Sequence, residues 1–100
     1  MTSVSLYVEL KAKPGKESEL ATFLTSARGL AMAEPGTPVW FAVQFDHNTF
    51  AIFDAFNSVE DRKAHLGGQI AAALMARAGD LLAAAPEIRE ATVLADKIVS

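Results

Sequence analysis

From Val4 to Ala12 the chain alternates, with Val4, Leu6, Val8 and Leu10 falling on one face and Ser5, Tyr7, Glu9 and Lys11 on the other. A period of two predicts a half-buried strand, which Pro14-Gly15 ends in a turn. Between Lys16 and Ala33 the apolar positions become Leu20, Phe23, Leu24, Ala27, Leu30 and Ala31, the stripe of an amphipathic helix, with Glu17 and Glu19 near its positive end. Glu34-Pro35-Gly36-Thr37-Pro38 stops that helix. Alternation returns from Val39 to Asp46, setting Val39, Phe41, Val43 and Phe45 against Trp40, Ala42, Gln44 and Asp46. Asp46-His47-Asn48 then turns the chain into a third strand, Thr49 to Phe56. Ser58, with Asp61 three positions on, predicts a capped helix start. That helix reaches Leu66, breaks at Gly67-Gly68 and resumes from Gln69 to Ala84. Pro86 ends it, and Glu90 to Val99 reads as a fourth strand.

The order β-α-β-β-α-β predicts one α+β domain over residues 1–100, a ferredoxin-like antiparallel sheet with both helical segments on one face. The bulky groups Tyr7, Trp40, Phe50, Ile52, Phe56 and Leu94 are taken to occupy both sides of the sheet. A sheet with one face in water alternates more cleanly. The expectation is therefore a homodimer, in which the face without helices meets a second copy of the chain.

Composition narrows the function classes. At 51% hydrophobic and 21% charged residues, the chain is expected to pack rather than remain disordered. A net charge of −3, with nine Lys and Arg scattered along the chain, argues against a nucleic-acid surface. The absence of cysteine excludes disulfides, thiolate nucleophiles and iron–sulfur or zinc–thiolate sites. His47 and His65 show no ligand spacing with the carboxylates, so neither a metal nor a cofactor is expected. No apolar run approaches the roughly 20 residues of a membrane span. Met1-Thr2-Ser3 carries no basic and apolar leader, so the expected location is the cytoplasm.

One stretch carries a chemical hint. In Thr49 to Leu66, TFAIFDAFNSVEDRKAHL, an apolar strand holds one carboxylate, Asp54, and a tight turn leads to a helix bearing His65. Such a connection can bring a carboxylate and an imidazole beside one apolar pocket. The same stretch, extended as FDAFNSVEDRKAHLGGQIAAAL, together with the PGKE turn after the first strand and the order of elements, resembles the antibiotic biosynthesis monooxygenase superfamily. The resemblance implies a dimeric α+β barrel with a pocket between helices and sheet, and activities that include cofactor-free oxygenation of quinols and polycyclic aromatics. Some members of that superfamily degrade haem with an Asn on strand one, a Trp and a helix His. Here His65 matches the histidine, but Glu9 stands at the strand-one position and no tryptophan lies between Asp54 and His65. Haem degradation is therefore not expected.

Oxygenation without metal or flavin requires a base to deprotonate the substrate and a donor to hold the developing oxyanion. His65 is the expected base, since imidazole titrates near neutrality, and Asp54 its orienting partner. Arg62 or Tyr7 is expected to hold the oxyanion, and Trp40, Phe41 and Phe56 to sandwich a planar substrate. Each has a plainer alternative: a locally bonded helix histidine, a strand-edge carboxylate, core or interface aromatics, and, for Arg62, an exposed turn shared with Glu60, Asp61 and Lys63. The alternative function is a non-catalytic dimer that binds a small apolar ligand or serves as an assembly module.

Overall fold

The computed structural model describes residues 1–99. In it the alternating and helical patterns become β1 (Val4–Lys11), α1 (Glu17–Ser26), α2 (Arg28–Met32), β2 (Val39–Gln44), β3 (Thr49–Phe56), α3 (Val59–Leu66), α4 (Gln69–Leu81) and β4 (Glu87–Thr92). The four strands form one sheet in the order β2-β3-β1-β4, every neighbouring pair antiparallel. This is the ferredoxin-like α+β arrangement that the element order predicts.

Register explains which face is buried. Val8 pairs with Ile52 and Leu10 with Phe50, so their side chains share one face of the sheet. Leu20 and Leu24 of α1 and Leu74 and Leu81 of α4 cover that face and complete the main core. A smaller cluster of Ala27, Ala31 and Ile70 extends it between α2 and α4, and Trp40 packs against both. The opposite face has no helix on it among the described residues, and there Phe41, Val43 and Phe53 remain exposed.

Several expectations need correction. The first helix breaks at Ala27 into α1 and α2. Just before the break, Thr25 Oγ1 donates to the Ala21 carbonyl and Ser26 Oγ to those of Thr22 and Phe23, a back-bonding that bends helices. The second helix stops at Leu81 rather than Ala84, because Lys13 N donates to the Leu81 carbonyl and Ala83 N to that of Lys11, drawing the chain onto the sheet. β2 stops at Gln44, and the fourth strand occupies Glu87–Thr92 rather than Glu90–Val99. All six β4 residues are exposed, so burial imposes no alternation there, and pairing with β1 alone places the strand. Leu94 lies beyond the strand. Phe50, Ile52, Phe56 and Trp40 all share the helix-covered face. The apolar groups of the uncovered face are Phe41, Val43 and Phe53 instead.

Leu20 is fully enclosed beneath α1. Leu20→Ala is expected to lower unfolding free energy by about 3 kcal/mol, measured by urea denaturation, as for other buried leucines truncated to a cavity.

Candidate active site

Asp54 sits in the middle of β3, opposite Leu6 of β1 and Trp40 of β2, and points to the helix-covered face. Beyond Phe56 the chain turns at Asn57, and Ser58 caps α3 by accepting from Asp61 N at 3.1 Å. Fixing the start of α3 in this way places its last turn back over the strand. His65, in that turn, is only 7% exposed and lies beside Asp54, which is 1% exposed. The predicted carboxylate–imidazole juxtaposition is therefore present.

His65 Nε2 approaches Asp54 Oδ2 to 2.9 Å. The contact is an ion pair without hydrogen-bond alignment, so neither Asp54 oxygen has an aligned donor among the described residues. On the other side His65 Nδ1 lies 2.6 Å from Glu34 Oε1, which also accepts from Thr37 Oγ1 at 2.8 Å. The Phe56 ring lies 5.2 Å from the imidazole, tilted by 46°. A neutral imidazole has one N–H and one lone pair, so it cannot donate to two carboxylates at once. Burial alone opposes a charge on the ring, but the close approach and negative charges of Asp54 and Glu34 outweigh it and raise the His65 pKa from 6.5 to about 8. At neutral pH the group is an imidazolium held between two carboxylates.

A cleft of about 370 Å³ opens on the Glu34 side of this pair. Leu30, Glu34, Pro35, Asp61, His65 and Gln69 are among its walls. Gly36 belongs to the same rim, and a Cβ there would lie 2.9 Å from Asp61 Oδ1. A larger residue there would have to push the Asp61 side chain aside.

The remaining predicted site residues are dispersed. Trp40 shares the face of Asp54 but is not a wall of the His65 cleft, and its Nε1 is buried without an acceptor among the described residues. Phe41 points to the opposite face, so Trp40 and Phe41 cannot sandwich one ring. Tyr7, paired with Phe53, also lies on the uncovered face, away from His65. Arg62 Nη1 donates to the carbonyls of Ser5 at 3.3 Å and Ala91 at 3.2 Å, and its Nη2 lies 3.7 Å from Glu90 Oε1. It clamps α3 to β1 and β4 and is not free to hold an oxyanion in the cleft. His47 stays exposed beside Glu17. The sequence reading missed Glu34, which it treated only as part of a helix stop. Its one signal was a carboxylate immediately ahead of Pro35-Gly36, and nothing local tells that this loop folds back onto α3. Among the described residues no group of three metal-ligating side chains is arranged to hold an ion.

No family model matches the chain. No curated protein matches it either. Among solved structures, a Nitrosomonas europaea protein of unknown function is 53% identical with a TM-score of 0.98, the match covering 100% of this chain and 97% of that one. A candidate antibiotic biosynthesis monooxygenase from Chloroflexus aurantiacus is 23% identical with a TM-score of 0.76, over 99% of this chain and 100% of the other. Another from Caulobacter crescentus is 22% identical with a TM-score of 0.81, over 94% and 92%. At that level of identity the likeness establishes the fold, and at that level the resemblance seen in Pro14 to Glu17 and Phe53 to Leu74 holds.

The charge on His65 ties stability to pH. Its folded pKa, about 8, exceeds the unfolded value of 6.5, so the stabilisation is complete below pH 6.5 and is lost as pH rises through 8. The shift corresponds to about 2 kcal/mol. Urea denaturation at pH 6 and pH 9 is expected to show that loss in the native protein and not in His65→Gln.

Proposed function

This chain belongs to one family with the Nitrosomonas europaea protein and has the fold of the antibiotic biosynthesis monooxygenase superfamily, and from that premise we propose that it oxygenates a small hydroxylated aromatic without a cofactor. The observation that carries the reading is a buried imidazole with Asp54 at Nε2 and an open cleft on its other side. Once His65 has lost its proton, the charge of Asp54, whose buried oxygens have no other donor among the described residues, holds the remaining hydrogen on Nε2 and leaves the Nδ1 lone pair facing Glu34 and the cleft. Two lone pairs cannot face each other at 2.6 Å, so Glu34 gives way and a ligand hydroxyl or activated C–H takes its place at Nδ1.

The substrate supplies the electrons. Proton transfer to His65 leaves a phenolate or carbanion, which passes one electron to dioxygen. Recombination of the two radicals forms a C–O bond as a peroxide. Loss of water from the peroxide leaves a carbonyl, so one oxygen atom stays in the product and the other departs as water. The substrate is oxidised by four electrons in forming this C=O bond, which matches the reduction of dioxygen to one carbonyl oxygen and one water, and no separate reductant is consumed. The largely apolar cleft walls favour a planar ring and leave its anion poorly hydrated, which raises its reactivity toward oxygen.

The same reading includes a homodimer formed through the uncovered sheet face, supported by the exposed Phe41, Val43 and Phe53 on it. The competing reading, a binding or assembly module without catalysis, draws on that same face and needs no chemistry at His65.

Oxygen uptake measured against a panel of hydroquinones and anthrones is expected to rise with pH through an inflection near 8. His65→Gln is expected to reduce it by about 10²-fold or more. Glu34→Ala, which removes one of the two carboxylates that hold the imidazolium, is expected to move the inflection to lower pH. Unchanged uptake in His65→Gln removes His65 from the mechanism, and no uptake with any compound favours the binding module. For assembly, sedimentation at micromolar concentration is expected to show a dimer, and Phe53→Glu, on the uncovered face, a monomer.

A further inference from the structure

We infer that a second cleft, between α2 and the edge strand β2, binds a planar aromatic carboxylate, with its ring against Trp40 and Met32 and its carboxylate on Arg28. The cleft measures about 500 Å³, and its walls include Arg28, Met32, Glu34, Pro38, Trp40 and Phe41. That volume lies within the range of small-molecule sites. The apolar walls are a flat indole, a thioether and a proline ring, surfaces that pack well on an aromatic plane.

Charge selects the ligand class. Two acid–base groups border the cleft, Arg28 and Glu34. Glu34 is already committed, since its Oε1 meets both the His65 imidazolium and Thr37 Oγ1. Arg28 makes no hydrogen bond or ion pair among the described residues, whereas Arg62 and Arg77 are each tied to carboxylates. Of these two groups, Arg28 is therefore the one without a partner among the described residues. A guanidinium offers a forked pair of donors that matches a carboxylate, and it also stacks on aromatic faces. A neutral ring lacks a partner for that fork, and a cationic one meets repulsion.

This inference does not depend on oxygenase activity, because the cleft is distinct from the one beside His65 and its test reads binding. Glu34 and Thr37 belong to the walls of both clefts, so the loop that carries them separates the two.

Trp40 is the sole tryptophan, so the protein has a single indole N–H resonance. In ¹⁵N-labelled protein, 2-naphthoate is expected to shift that resonance saturably, while neutral 2-naphthol shifts it only at much higher concentration. Arg28→Ala, at an exposed position, is expected to weaken naphthoate binding by about fivefold, and Arg28→Lys by less. An indole resonance unmoved by millimolar naphthoate, equal affinity for naphthol, or undiminished affinity in Arg28→Ala would each overturn the assignment. None of these outcomes bears on oxygen uptake.

Discussion

A charge buried between two opposite charges governs the candidate site. Isolating an imidazolium from water is unfavourable, and here burial does push the His65 pKa downward before Asp54 and Glu34 reverse the outcome. The three groups are drawn from β3, the last turn of α3 and the loop after α2, of which the loop is distant in sequence from the other two. Each carboxylate is matched by the ring, and the ring by both carboxylates. The ring is the one positive charge between two negative ones, so removing it leaves two carboxylates facing each other, and its two contacts bind strand, helix and loop into a single electrostatic unit. The cleft inherits its shape from this constraint, because the loop bearing Glu34 is the wall between the space beside His65 and the space beside Arg28.

The pair at the centre was legible in the sequence because it is local. Asp54 and His65 are separated by one turn and two helical turns, and the Ser58 cap fixes the path between them. Alternation likewise located β1 and β2, although β2 ends at Gln44, and an apolar run rich in β-formers located β3. Legibility failed where no burial contrast exists. β4 is exposed along its whole length, so its position follows from pairing with β1 and not from any pattern of its own. Side-chain back-bonding at Thr25 and Ser26, invisible to a hydrophobic stripe, split the first helix.

Function was less legible than fold for a related reason. Residue type suggested Arg62 as an anion holder and Tyr7 and Phe41 as substrate contacts, but direction decides such roles. Arg62 is spent on backbone carbonyls of β1 and β4, and the pleat turns Tyr7 and Phe41 to the far side of the sheet. Glu34, which completes the charged trio, is distant in sequence from both its partners and sits in a loop without periodicity. Long-range pairing of this kind is a property of the folded chain, which no window along the sequence contains.

The bare charges of β4 have a bearing on how the molecule can associate. An outermost strand offers unpaired backbone groups to any passing chain, and a run of such additions would build a fibre. On β4 the sequence Glu87-Ile88-Arg89-Glu90 studs that margin with alternating signs, so a second strand laid alongside must desolvate them without matched partners. On the far margin Pro38 stands immediately ahead of β2 and offers no amide hydrogen. Ribbon-like growth is thereby discouraged at both borders.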